Sequence, residues 1–284
     1  MARKIVMWVV FIFLAIYILL WLNSFMGVFG AQPANVSMVF RSLAESQEGI
    51  KYNHEIENFE NADKATGFAA LGVTVAKGGG LVDLLFFLLM LAIFFTIERL
   101  TVYLTNRGAM KLPVFLESIR TRFVANDIPG AKAVAKKQGG VFGRMILAGL
   151  DRYDSIADKS NSGYVKAEVH EALEEAKGIE SARLEQNLIA LATIASIGTM
   201  TGLLGTVVGM IRAFSALASK GRPDPNKLAT GISEALINTA GGLVVAISTI
   251  IAYNYFTNRV DRYNFNMEEC STELTALVTK TKEG

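Results

Sequence analysis

The sequence predicts an all-α integral membrane protein: three core transmembrane helices, a further apolar helix at the N-terminus, and long helices extending into the cytoplasm. Three observations predict it. Half of the 284 residues are hydrophobic, above ordinary globular usage. The apolar residues gather into four long stretches, and about 20 residues suffice for a helix to cross a bilayer. The polar segments between them read as amphipathic helices punctuated by Gly and Pro.

Residues 1–30 form the first element. Ile5 to Leu22 is apolar and follows Arg3 and Lys4, so it reads as a membrane anchor or as a signal segment, with small residues at Gly30-Ala31-Gln32 for cleavage. Its length exceeds the usual signal core of about 7–15 residues. Trp8 and Trp21 bracket it like an interfacial belt, which favours a retained helix. Residues 31–79 are predicted to be a periplasmic segment of one or two helices, with an acidic solvated face carrying Glu45, Glu48, Glu55, Glu57, Glu60 and Asp63.

Residues 80–104 form the second apolar span. Gly78-Gly79-Gly80 leads into it and reads as a hinge, since no phosphate-cradling motif follows. Asp83 lies near one end, Glu98 and Arg99 near the other. Adjacent residues point in different helical directions, so this acid and base are not expected to need each other. Arg99 is expected to snorkel to the interface and Glu98 to meet a neighbouring helix or the cytoplasmic domain.

Residues 105–187 make a cytoplasmic helical domain. Pro113 to Val124 is a short amphipathic helix, Asn126 to Gly130 a turn opening a second, Gly139-Gly140 its breaker, and Val141 to Tyr153 a third. From Ser160–Gly163 a helix starts whose apolar stripe is Val165, Val169, Ala172, Ala176 and Ile179. No stop signal follows, so it is expected to run unbroken into the third span. The remaining elements are a span at 188–214, a short periplasmic loop at 215–227, a span at 228–256 and a cytoplasmic C-terminal helix at 257–284. Basic residues near the helix ends set this orientation: Arg3, Lys4, Arg107, Lys111, Arg183, Arg259 and Arg262 fall on one side, against Lys77, Arg212, Lys220, Arg222 and Lys227.

Composition removes several function classes. A net charge of +2, without a basic stripe interleaved with aromatics, gives no nucleic-acid signal. Cys270 is the single cysteine, so neither an intrachain disulfide nor a paired-cysteine metal site is expected. His54 and His170 lie far apart. No metal and no cofactor is called for, and nothing points to an enzyme.

What stands out lies in the last two spans. The third carries small residues on one face, among them Gly198, Gly202, Gly205 and Gly209, the kind of face that lets helices pack closely in lipid. Stacked on copies of itself, this face would gather the neighbouring polar residues around a shared axis. Thr199 and Thr206 are seven residues apart beside it. In the fourth span Thr230, Glu234 and Asn238 follow at intervals of four, with Thr239 adjacent. Intramembrane threonines usually bond their own backbone one turn earlier. A charge at the bilayer centre costs roughly 2.5–3.5 kcal/mol by insertion measurements, so Glu234, about 9 Å into its span at 1.5 Å per residue, is expected to face protein or water. As the titratable group placed well inside these two spans, it calls for a second ionisable group from another chain.

At these residues the chain resembles the proton-channel subunits of the ExbB, TolQ and MotA group, most closely ExbB and TolQ. The similarity rests on Gly202-Leu203-Leu204-Gly205-Thr206-Val207-Val208-Gly209-Met210, on Gly231-Ile232-Ser233-Glu234-Ala235-Leu236 through Thr239, and on Gly242-Leu243 and Tyr253-Asn254. It extends over about residues 78–275. The resemblance implies a subunit of a proton-motive-force-driven motor in the bacterial inner membrane: a homopentameric ring around an ExbD- or TolR-like dimer of single-span chains, passing energy to a TonB-like or other energy-receiving protein. Thr206 and Thr239 take the place of the family's pore threonines and Glu234 that of its helix glutamate, with Thr199 and Asn238 beside them. Two departures are visible. Thr199 stands where many relatives have a proline, and residues 1–79 extend beyond the three-helix core. Other readings are a motor of different output, such as Tol or gliding, and a passive membrane scaffold in which Glu234 pairs structurally.

Overall fold

The computed structural model describes residues 44–45, 47, 50–53, 58–60, 64, 66–157, 161–218 and 224–280. The N-terminal apolar segment, anchor or signal, lies outside the described residues. Two short strands come first, β1 (Lys51–Asn53) and β2 (Asn58–Glu60), paired antiparallel with Tyr52 opposite Phe59. This ribbon corrects the expectation of helix alone before residue 80; three residues per strand are too few to register a period of two. Eight helices follow among the described residues: α1 (Gly67–Ala76), α2 (Gly80–Asn106), α3 (Leu112–Val124), α4 (Ile128–Gln138), α5 (Gly140–Ser155), α6 (Ser162–Glu185), α7 (Leu188–Ala218) and α8 (Pro225–Lys280).

Two compact units contain them. The first comprises Met1–Phe95 and Ala190–Ala252. Here the apolar parts of α2, α7 and α8 pack on one another: Leu85, Leu88 and Ala92 are buried against Ile194 and Val245, with Phe87 and Phe95 around them. The outward faces carry Leu203, Val207, Ile211 and Phe214 on α7 and Leu236, Val244, Ile247 and Ile251 on α8, all exposed. Such a surface is an aggregation hazard in water and an ordinary outer face in lipid. Among the described residues, three helices are long and apolar enough to cross a membrane, one each at α2, α7 and α8.

The second unit comprises Thr96–Ile189 and Tyr253–Gly284. Its helices start and stop where local chemistry dictates. Pro113 sits in the first turn of α3, where its missing N–H costs nothing. The Asp127 carboxylate accepts from Gly130 N at 2.9 Å to cap α4, and Asn161 Oδ1 accepts from Tyr164 N at 3.1 Å to cap α6. Phe115, Ile119 and Phe123 of α3, Met145, Ile146 and Leu150 of α5, and Val165, Val169 and Leu173 of α6 are buried. The far half of α8 lies alongside: Leu274 reaches Gly149 of α5, and Lys177 of α6 pairs with Glu268. Its hydrogen bonds to Glu268 and Glu174 hold the Lys177 ammonium above the usual lysine range. Cys270 is buried on this side of α8, and burial pushes its thiol up to about 12, which leaves it inert.

Two expectations for the region before the third span need correction. The apolar face of α6 runs through Val165, Val169, Leu173 and Leu184, with Glu180 inside it, while Ile179 is half exposed. Glu180 is tolerated there because Arg144 and Arg183 both donate to its Oε1 at 2.8 Å. Nor does the helix run unbroken: it stops at Glu185, and Asn187 adopts φ +63° before α7 begins. Asparagine enters this left-handed region more readily than most residues, and its sequence context carries no Gly or Pro to announce it. By contrast α8 is continuous over 56 residues, so the fourth span and the C-terminal helix are one element.

Gly178 sits in mid-α6 with open space around the position a Cβ would take. Gly178→Ala is expected to stabilise the protein by about 0.5–1 kcal/mol, read as a higher thermal unfolding midpoint of the purified chain.

A buried acid between two glycine-packed helices

The small-residue face of α7 is spent inside the chain. A Cβ on Gly202 would lie 3.0 Å from Gly242 Cα, one on Gly209 2.8 Å from Ala235 N, and one on Gly198 2.8 Å from Val245 Cγ1; one on Gly205 would collide with the Asn238 side chain. Each of these neighbours belongs to α8. The face expected to stack on copies of itself packs instead on the fourth span of the same chain, because α8 answers with its own small residues, Gly231, Ala235 and Gly242.

That close approach decides where the polar residues go. Thr239 Oγ1 donates across to Gly202 O at 3.4 Å. Thr206 Oγ1 donates to Leu203 O at 2.6 Å and Thr199 Oγ1 to Ala195 O at 3.2 Å, both within α7. All three are half-buried. Asn238 is fully buried. Its amide donates to Glu234 O at 3.0 Å and to Gly78 O, just before α2, at 2.9 Å, while Oδ1 has no hydrogen-bond partner among the described residues.

Glu234 is also buried, 3% exposed, and its carboxylate pairs with the Arg212 guanidinium of α7. Within the chain, Arg212 is the ionisable group beside this acid. Sequence reasoning counted Arg212 only as an end-of-helix cation, although a signal was present: the small stripe at 198, 202, 205 and 209 advances by four, three and four, and the next step lands on Arg212. Glu234 faces protein, on the side where Gly79 approaches. A Cβ at Gly79 would sit 2.6 Å from Glu234 Oε1, and φ there is +70°, so this position admits glycine on two counts. The triple glycine is thus the place where the chain entering α2 passes beneath Glu234 and Asn238, a role its reading as a hinge did not include.

At the other end of α2, Glu98 and Arg99 do pair. Arg99 is fully buried and its Nε and Nη2 each donate to the Glu98 carboxylate at 2.6 Å. The expected snorkelling of Arg99 is overturned: the long side chain folds back into a two-pronged bridge. The break at 186–187 supplies the remaining acceptor. A continuous helix would spend Leu184 O on Leu188 N; here it accepts from Tyr103 Oη at 3.1 Å and from Arg99 Nη1 at 3.4 Å.

Three bilayer-length apolar helices, two of them locked at glycine contacts around a buried acid, make this a multi-pass α-helical membrane protein. The comparisons with known proteins converge on that pair of helices and what precedes it. The chain belongs to the MotA/TolQ/ExbB proton channel family, whose model matches residues 138–269, a stretch that contains α7 and every site residue named above on α8. The biopolymer transport protein ExbB of Aquifex aeolicus is 32% identical over 132 residues, 45% of this chain and 82% of that protein. ExbB of Pseudomonas putida is 29% identical over 150 residues, 53% of this chain and 46% of that one. The Tol-Pal system protein TolQ of Pseudomonas aeruginosa is 45% identical over 80 residues, 28% and 35% of the two chains. The chain spans about half the length of several of its curated relatives.

Gly205→Leu is expected to unseat α7 from α8 within one chain. The penalty for such overpacking is about 1–3 kcal/mol or more, seen as a lower unfolding midpoint of the purified chain. Arg99→Met removes two charge-assisted hydrogen bonds from the half-buried Glu98 carboxylate, with an expected loss of about 1–3 kcal/mol by the same measurement.

Proposed function

We propose that the chain is an ExbB/TolQ-like subunit of a motor in the bacterial inner membrane that draws on the proton motive force. In this reading it forms a pentameric ring around an ExbD/TolR-like dimer of single-span chains. A TonB-like or other energy-receiving protein takes up the work for an envelope or outer-membrane process such as TonB-dependent import. Residues 31–79 and 215–227 are then periplasmic, and 105–187 and 257–284 cytoplasmic. The observation that carries the proposal is the burial of Glu234 between α7 and α8 beside Arg212, in helices that also bear Thr206 and Thr239. Those hydroxyls order water or a partner's carboxyl group, and Glu234 is the group that stores a proton.

The ion pair gives the acid two states. Ionised, Glu234 holds Arg212. Protonated, it releases that cation and frees a hydrogen-bond donor. One charge crossing 100 mV releases about 2.3 kcal/mol, so a few protons per step suffice for a repacking of helices. The same pair also favours a second reading, a passive scaffold in which Glu234 and Arg212 only join two helices. A Tol or gliding motor shares the mechanism and differs in load.

The test is made in cells that depend on the system. Glu234→Gln, and separately Thr206→Ala with Thr239→Ala, are expected to cut energised output more than tenfold while the purified ring keeps its size. Full output from both variants would leave the scaffold. The reading also expects a small single-span protein with a membrane aspartate to be encoded beside this gene.

A further inference from the structure

A second polar feature lies wholly in the unit formed by Thr96–Ile189 and Tyr253–Gly284. Between the 107–111 loop, the start of α5 and α8 lies a pocket of about 510 Å³, within the usual range for small-ligand sites. Its wall includes Arg107, Lys111, Arg259 and Arg262, together with Tyr263 and Asn266, and no carboxylate. None of the four cations has an acid within 4 Å among the described residues. Asp261, their neighbour on α8, lines the adjoining depression instead. Four exposed cations around one concavity give it a positive potential that attracts an anion.

The wall is held in place by contacts behind it and within it. Gln138, 2% exposed, fastens the loop from behind: Met110 N donates to its Oε1 at 2.8 Å, its Nε2 donates to Met110 O at 3.0 Å, and Ala109 N donates to its backbone carbonyl at 2.9 Å. Gly140, at φ +61°, lets the start of α5 press on this loop, since a Cβ there would lie 2.8 Å from Gly108 N. Arg259 is steadied by Tyr255, stacked 5.3 Å above its ring centroid and donating to its hydroxyl at 3.2 Å. Tyr263 stacks on Phe142, and burial raises its phenol above the ordinary value, so it stays a neutral donor.

We propose that this pocket binds the phosphate headgroup of an anionic phospholipid. Arginine forks match phosphate oxygens in pairs, and basic pockets between membrane helices on the cytoplasmic side are where such headgroups are held. Position selects a lipid over a free anion. Arg107 follows the last residue of α2, and Arg259 comes three residues after Phe256, at the end of the fourth span. Leu104, one turn back on α2, is 62% exposed and offers an acyl chain apolar surface. Tyr255, half exposed on α8, is the kind of side chain that sits at headgroup level.

The test uses the full chain in a neutral detergent, with dioleoylphosphatidylglycerol, dioleoylphosphatidylcholine and inorganic phosphate as probes, read by native mass spectrometry and by thermal midpoint. Phosphatidylglycerol is expected to bind at least tenfold more tightly than phosphatidylcholine and to raise the midpoint. A juxtamembrane cation contributes about a fivefold factor toward anionic lipid, so Arg262→Gln alone should weaken phosphatidylglycerol about fivefold. Arg107→Gln/Arg259→Gln/Arg262→Gln should weaken it more than about twentyfold. Lys136→Gln/Lys166→Gln, which removes two exposed cations elsewhere, should change nothing; if the triple variant does not accumulate, Arg262→Gln against this pair decides. Equal binding of the two lipids, equal loss in the control pair, or displacement of phosphatidylglycerol by equimolar inorganic phosphate would each overturn the proposal.

Discussion

The approach of α7 to α8 at Gly202 and Gly242 is the constraint on which the membrane part of this protein depends. Dispersion contacts and backbone proximity drive helix association in lipid, because apolar burial alone gains nothing there. With backbones this close, Thr239 reaches a carbonyl on the other helix and Asn238 fits only because Gly205 leaves it room. The same register sets Arg212 opposite Glu234. Were the stripe built of leucines, the two charges would be held apart and each would lose its partner in an apolar medium.

Buried polar side chains elsewhere are satisfied by irregularities of the backbone. Arg99 and Tyr103 use the carbonyl that the break at Asn187 frees; Asn238 uses the carbonyl of Gly78, between α1 and α2. Carbonyls inside a helix are shared with the backbone ladder, whereas one at a helix end accepts from side chains alone. The interruptions in α6–α7 and before α2 are therefore part of the polar architecture.

Much of this was legible in the sequence because it is periodic. The three apolar spans, the caps around Asp127 and Asn161, and the family motif from Gly202 to Gly209 all declare themselves by spacing or by residue type. What stayed hidden depended on enclosure and on local backbone conformation rather than on spacing. Glu98 and Arg99 are neighbours whose helical directions diverge, and only the length of the arginine and the enclosure around it bring them together. Asn187 breaks the helix with no Gly or Pro beside it to mark the stop. Glu180 hides in an apolar face because Arg183, one turn on, and Arg144 of α5 both reach it. Arg212 was in phase with the glycine stripe, but a cation near a helix end has a simpler explanation, and that explanation concealed its partner.

The loop from Arg107 to Lys111 has five residues between the end of α2 and the start of α3. One buried amide, 28 positions away at Gln138, grips both the donor and the acceptor of Met110, while Gly140 presses on Gly108. The turn is thus moulded by a remote segment, and its length is not free to drift: one residue added or removed would bring a different peptide group opposite that amide. Variation among natural chains of this layout should accumulate in side chains around the rim and spare the residue count of this connection.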